Sequence, residues 1–435
     1  MQQPIDDPEA PSPVVGPTRP RILEVLGPGL ITGASDDDPS GIATYAQAGA
    51  QFGFGLGWTM VLMFPMMTAV QMICARFGRV TGMGIAGVLR QHVPPALLTG
   101  TVVLLLIANV INLGADLGAM ADATALLLPV HAALYVPLYA AICICMQLFL
   151  VYTRYVAVLK WLSLALLAYV VSVLTVHVDW RGLAVALVLP KLRLDSDYLA
   201  MLVAIAGTTI SPYLFFWQAA EEVEDLRAYP RRVALLRAPL QGPAALHRIG
   251  IDTIVGMALS NLIGLAIIVT AASTLNVHGI SDIQTSAQAA AALGPIAGRF
   301  AATVFTVGIV GTGLLAVPVL AGSAAYAIGE ARQWPSGLGR RPKEAQAFYA
   351  AIVLATLVGM VIDYAPVNPI RALVWSADIN GIVAVPLMVL LMVLSARRSV
   401  LGEFRVRGVL LLLGWISTLF MAAIVVGMGW GLVAG

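Results

Sequence analysis

The sequence predicts an all-α integral membrane protein with eleven transmembrane helices, on three observations. Hydrophobic residues make up 59% of the 435 and charged ones 11%, with a mean hydropathy of +0.88. That is too little charge to solvate the surface of a soluble domain. Eleven apolar runs each come near the ~20 residues that cross a bilayer. Basic residues also collect on alternate loops between those runs, as positive-inside insertion requires. The net charge of +2 decides nothing by itself; its distribution does.

Taken in order, residues 1–25 are rich in Pro and Asp and lack the basic start and cleavage site of a signal peptide. They read as a disordered cytoplasmic tail. The first span, 26–50, is broken at 36–41 by Asp36-Asp37-Asp38-Pro39-Ser40-Gly41. Three carboxylates inside a bilayer-length segment are costly, so they must face protein or water and mark a functional site. Pro39 removes a donor and disfavours helix at Asp38. Irregular backbone at membrane depth survives only where it lines a buried polar cavity. A plain loop between two apolar segments is the competing account of the same residues.

Spans two to five follow at 54–75, 98–128, 131–152 and 155–177. Span six, 198–222, is broken in turn at Gly207-Thr208-Thr209-Ile210-Ser211-Pro212-Tyr213. The remaining spans are 251–274, 297–328, 347–364, 369–395 and 408–432. The third and eighth exceed the hydrocarbon thickness and are expected to tilt or protrude.

With the amino terminus inside, twenty of the 25 Lys and Arg fall on cytoplasmic segments; Arg181, Lys191, Arg193, Arg299 and Arg371 fall on the other side. This places the chain in the cytoplasmic (inner) membrane with its carboxyl terminus outside. The run Arg231 to Arg248 reads as part of that topology signal rather than as a lipid-binding patch. Cys74, Cys143 and Cys145 sit in apolar segments and read as small core residues, not a disulfide framework.

The two breaks occupy corresponding places in two five-span halves, 26–177 and 198–395, with 408–432 as an additional span. Five is odd, so the halves run in opposite orientations. Paired interrupted helices in inverted repeats point to a binding site at the bilayer midplane of a secondary transporter. The ligands implied are a transported solute or ion and the lipid bilayer. No P-loop, nucleotide fingerprint, Cys/His cluster or basic-aromatic nucleic-acid surface is present, so neither an enzyme's cofactor nor a nucleic acid is expected.

Several segments resemble the NRAMP divalent-metal transporters. They are Gly27-Pro28-Gly29-Leu30, Asp38-Pro39-Ser40-Gly41 and Gly49-Ala50-Gln51-Phe52-Gly53 in span one, and Gln71 to Gly82 in span two. Ala115-Asp116-Leu117 in span three and Gly207 to Tyr213 in span six complete the ordered set. The similarity runs from about Gly27 to Leu394 and implies a LeuT-like fold with a 5+5 inverted repeat. In that family the ion is held by an Asp and an Asn of span one, a Met of span six and carbonyls before each break. The resemblance carries these roles to Asp38, Gly41, Ser211 and the carbonyls of Ser35 and Thr208.

Two of the transferred positions have changed chemistry. The Asn oxygen is gone at Gly41, and the thioether has become the hydroxyl of Ser211. Carboxylate, carbonyl, hydroxyl and water ligands suit magnesium, calcium or manganese, whereas softer ligands favour later transition ions. Magnesium keeps several waters on one or two carboxylates. A widened, all-oxygen site therefore implies Mg2+, with Mn2+ next, as in the NRAMP-related magnesium transporters that this pattern resembles. Asp37 is expected beside the ion or in its vestibule, and Asp36 toward the mouth. In span ten, Asp378 and Asn380 lie about 200° apart on a regular helix, so one of them faces the site; Asp378 is preferred. Family members carry a His where Tyr213 stands and a Glu where Ala119 stands. A phenol titrates far above neutral pH, so strong proton coupling is not expected, although Asp116 could still take a proton.

Other groups carry weaker expectations. Asp122 and Asp252 could line an inner exit, or make helix-end and interhelical hydrogen bonds. Glu221-Glu222-Val223-Glu224-Asp225 could draw cations to a vestibule, or form a solvated helix end. The five His lie in loops or span ends without metal spacing, and the Met residues read as packing or lipid-facing. The transport unit is expected to be a monomer. Competing functions are a sodium-coupled carrier of an organic solute on the same fold, and an intramembrane enzyme using paired aspartates such as Asp38 and Asp116.

Overall fold

The computed structural model describes residues 28–128, 131–149, 167–229, 231–294, 298–365 and 368–434. The expected tail and residues 150–166, which hold the larger part of the expected fifth span, lie outside these. The first span is two helices, α1 (Pro28–Asp36) and α2 (Pro39–Phe52). Between them Asp38 is extended (φ −68°, ψ 171°), its side chain accepts from the Gly41 amide, and Pro39 takes the first helical position. A carboxylate cap followed by proline starts a new helix rather than continuing the old one.

The chain continues through α3 (Trp58–Thr81), α4 (Ile85–His92), α5 (Pro95–Ala125) and α6 (Tyr135–Phe149). After α7 (Leu167–Thr175) and the short α8 (Trp180–Val188) comes the second interruption. There α9 (Ser196–Thr209) stops, Ser211 is extended (φ −79°, ψ 134°), and Pro212 opens α10 (Pro212–Ala228). Then follow α11 (Gly242–Thr274), α12 (Ser286–Ala291), α13 (Ala301–Arg332) and α14 (Gln346–Asp363). The chain closes with α15 (Pro369–Ser395), α16 (Arg398–Leu401) and α17 (Gly408–Ala434).

Among the described residues every regular element is helical, and nine helical stretches are long and apolar enough to cross a membrane, the sixth span counted across its break. The halves of span one, of 9 and 14 residues, are each too short alone. Helix α11 starts well before the expected boundary of span seven and carries Arg248 and Asp252 within it.

Small residues set the packing around the breaks. A methyl group at Gly33 would run into the backbone of Gly256, so α1 and α11 touch backbone to backbone. A methyl at Gly207 would likewise strike Ala377 and Gly381, which seats α9 on α15. Glycine at such crossings lets transmembrane helices approach closely. Helix α1 leans on α10 and α11, while α2 leans on α9, α11 and α15. The two interruptions therefore meet inside the bundle, with α5 and α15 beside them.

Candidate functional site

The charged centre of the molecule is built on the first interruption. Asp36, Asp37, Asp38 and Asp116 are at most 2% exposed, so bulk water reaches none of them in this conformation. The loop-between-spans account of Asp36 to Ser40 is thereby overturned. Asp38 is the best served. Its Oδ1 accepts from the Gly41 amide (2.7 Å), and its Oδ2 accepts from Asn112 Nδ2 (3.0 Å) and the Tyr213 hydroxyl (3.3 Å). Tyr213 shares its proton with the Ser35 carbonyl (2.9 Å). One phenol from α10 thus bridges the last turn of α1 and the cap of α2.

The second interruption closes on the first from the other side. A Cβ at Gly41 would lie 3.0 Å from Thr208 Oγ1 and 3.2 Å from the Asp36 carbonyl oxygen, so position 41 is where the two breaks touch. The Ser211 hydroxyl folds back on the preceding helix, α9, donating to the carbonyls of Gly207 and Thr208 at 2.7 Å each. Those carbonyls belong to the last turn of α9, which has no further helical partners. Asp38, Ser35, Gly41, Thr208, Ser211 and Tyr213 are brought together, as their positions in the two breaks imply.

The neighbouring carboxylates fare differently. Asp36 Oδ2 accepts from Ser260 of α11 (2.6 Å), which also reaches Asp37 Oδ1 at 3.4 Å. Asp36 Oδ1, Asp37 Oδ2 and both oxygens of Asp116 have no hydrogen-bond partner. Asp116 lies within electrostatic reach of Asp38 and the Ser40 amide. Asp36 does not sit at a mouth; it is sealed against α11.

Span ten reaches this network through Ser376, which donates to Asn112 Oδ1 at 2.7 Å and lies 3.2 Å from the Ser40 hydroxyl. With Ser376 on the inner face of α15, Asp378 points about 200° away, while Asn380 returns to within about 40° of it. Asn380 is buried and Asp378 only partly so, while each leaves its Oδ1 unpartnered. The preference for Asp378 over Asn380 is thus not supported by the rotation of the helix. No side-chain hydrogen bond among the described residues ties either one to Asp38.

Asn112, Ser376 and Ser260 were missed in the sequence, although each is a polar side chain in an apolar span, the signal that singled out Asp36 to Asp38. Asp252 and Asp122 belong to opposite ends of the bundle and cannot line one exit. Asp252, near the start of α11, accepts from the amides of Gly29 (2.8 Å) and Leu30 (3.2 Å) and so caps α1. Asp122 accepts from Ser286 of α12, which follows the far end of α11. The Glu221 to Asp225 run is no solvated helix end either. Glu222 meets Arg248 at 2.6 Å, Asp225 meets Arg232, and Glu224 meets Arg227 at 2.7 Å and the Tyr326 hydroxyl at 3.1 Å. Arg232 and Arg248 are therefore structural, tying α10 to the segments that follow it.

Chemically, four carboxylates share a buried compartment, and none of the ion pairs among the described residues reaches them. Uncompensated buried charge is far too costly to persist, so cations or protons must balance it. Among the described residues no three His, Cys, Asp or Glu side chains are grouped to hold a metal ion. An ion here meets at most two carboxylates, and its other ligands must be carbonyls, hydroxyls and water.

Comparison with known proteins agrees with this architecture. Residues 29–431 match the family described as natural resistance-associated macrophage protein-like, Nramp. A divalent metal cation transporter MntH of Acidiphilium cryptum is 27% identical over 399 residues, 89% of this chain and 86% of that protein. The crystal structure of the Eremococcus coleocola manganese transporter, in complex with an aromatic bis-isothiourea substituted compound, superposes with a TM-score of 0.72. The identity is 16%, covering 94% of this chain and 87% of that one. Mhp1, a nucleobase-cation-symport-1 family transporter, shares the fold more distantly, at a TM-score of 0.53 and 13% identity over 93% of this chain and 92% of its own.

Proposed function

Since this chain belongs to the Nramp family, we propose that it is a transporter of divalent cations, moving Mg2+ before Mn2+ through the cytoplasmic membrane by alternating access. The observation that carries the reading is the convergence of Asp38 and the Ser35 carbonyl on one hydroxyl, that of Tyr213, opposite the Ser211-capped end of α9. Every atom offered there is an oxygen. Ion selectivity follows donor softness, and neither sulfur nor imidazole is available at these positions.

In this reading Asp38 supplies the charge, and the Ser35 and Thr208 carbonyls with the Ser211 hydroxyl supply neutral oxygens. The missing side chain at Gly41 leaves space for water that a magnesium ion retains. Asn112 positions Asp38, and Ser376 positions Asn112. Tyr213 occupies the two oxygens in the absence of ion and yields them to it. Asp36, Asp37 and Asp116 make the compartment attractive to a double positive charge, while Asn380 rather than Asp378 lies on the span-ten side nearer the ion. Residues 26–177 and 198–395 are the inverted repeats, 408–432 is an added span, and the amino terminus is cytoplasmic.

Movement is downhill and not strongly coupled to protons. The membrane potential alone is worth about 2.3 kcal/mol per charge per 100 mV, so about twice that for a divalent ion. Flux in proteoliposomes loaded against Mg2+, Mn2+ and Ca2+, with voltage clamped by an ionophore and with or without a pH step, tests both parts. Mg2+ uptake that is lost in Asp38→Ala and indifferent to the pH step is expected. Uptake confined to Mn2+, or rising with an inward proton gradient, refutes the magnesium or the uncoupled part respectively.

A further inference from the structure

We propose that Glu221 is a second, transient holding point for the divalent cation, placed along α10 between the interrupted helices and the end of the bundle rich in Lys and Arg. The proposal rests on the transport reading and names a site beyond it. Tyr213, Trp217, Glu221 and Glu224 fall within about 80° of one another around α10, and Glu221 stands about 12 Å along the axis from Tyr213. Each neighbour fixes what that side faces. Tyr213 touches Ser35 and Asp38. Trp217 packs edge-on to Tyr326 of α13 at 6.3 Å, and Glu224 bonds the Tyr326 hydroxyl. On the adjoining side Gln218 accepts from Thr32 of α1. Glu221 is thus wedged where α1, α10 and α13 come together.

Its charge is the one left over. Of the four carboxylates in the run, three meet three arginines in ion pairs: Glu224 with Arg227, Asp225 with Arg232 and Arg248, and Glu222 with Arg248. Glu221 is 1% exposed, and neither of its oxygens has a hydrogen-bond partner. One turn nearer the midplane, Trp217 Nε1 and Gln218 Nε2 are buried and also unpartnered. Packed protein rarely leaves so many polar atoms idle in one place. A cation arriving with water would serve them all, the carboxylate binding the ion and the two N–H groups donating to accompanying water. Past Glu221 the Glu224–Tyr326 contact, extended to the Gly339 amide at 3.2 Å, closes the way out.

The test is a Mn2+ titration of the full-length chain followed by electron paramagnetic resonance, in wild type, Asp38→Ala, Glu221→Gln and Glu221→Asp. Wild type is expected to show two classes of bound Mn2+, one lost in Asp38→Ala and the other in Glu221→Gln. Glu221→Asp, which keeps the charge on a shorter stem, retains that second class with affinity lowered about tenfold. Should Glu221→Gln fail to fold, this graded response decides the matter. A wild type with a single class that Asp38→Ala removes overturns this proposal and leaves the transport reading intact. A single class that survives Asp38→Ala and vanishes in Glu221→Gln supports it and sinks the midplane assignment. Two classes that both persist in Glu221→Gln, or in Glu221→Asp at wild-type affinity, overturn it.

Discussion

Restoring the two altered ligand positions at once, Gly41→Asn with Ser211→Met, tests whether they set ion preference. Asn at 41 places a Cβ 3.0 Å from Thr208 Oγ1 and 3.2 Å from the Asp36 carbonyl. The threonine hydroxyl can rotate aside, but the carbonyl belongs to the backbone, so overpacking costs about 1–3 kcal/mol. Met at 211 removes the hydroxyl that serves the Gly207 and Thr208 carbonyls, and buried acceptors left open cost about 1–3 kcal/mol. The sum falls within the roughly 5–15 kcal/mol margin of a folded protein, so the variant is expected to fold with a lowered Tm. An amide oxygen and a thioether then stand beside Asp38, a set suited to softer ions. The Mn2+-to-Mg2+ ratio of initial uptake rates in proteoliposomes is expected to rise at least tenfold, about 1.4 kcal/mol. Gly41→Ala, which adds the Cβ alone, separates crowding from ligation: Mg2+ flux falls while the ratio stays put. A double variant that elutes as a monodisperse species and keeps its ratio within twofold of wild type refutes the assignment of both positions.

Three further outcomes follow from single contacts. Asn112→Leu removes the donor to Asp38 Oδ2 and the acceptor for Ser376, and is expected to weaken Mg2+ binding about 10–100-fold. Unchanged affinity by competition against Mn2+ would mean that Asp38 is not a ligand. Asp252→Ala frees the Gly29 and Leu30 amides; loss of such a cap costs about 1–2 kcal/mol, read as a lower Tm with ion affinity held within twofold. Gly33→Ala drives a methyl into the Gly256 backbone and is expected to lower Tm further than Asp252→Ala, since two main chains must part. Equal Tm values would show that α1 is free to shift.

Much of the architecture is local chemistry and can be read from a few adjacent residues. Asp38-Pro39 and Ser211-Pro212 each set an extended residue before a proline at the first helical position, and Asp38 adds a capping carboxylate, which is enough to stop one helix and begin another. Apolar runs of bilayer length and the Lys/Arg alternation likewise need no partner to be recognised. The tertiary structure alone decided which polar groups serve one another. Asn112 reaches Asp38 across 74 positions, Ser376 reaches Asn112 across 264, and Asp252 caps Gly29 across 223. Such pairings depend on how each helix is rotated about its own axis, and that rotation is set where glycines let backbones meet, at Gly33 on Gly256 and Gly207 on Gly381. A turn of about 200° is all that separates Ser376 from Asp378, and nothing within span ten records which of them faces inward. The Glu221 to Asp225 run illustrates the same limit. Its charge is plain in the sequence, but whether it meets water or arginine depends on α11 extending far enough to bring Arg248 against Glu222.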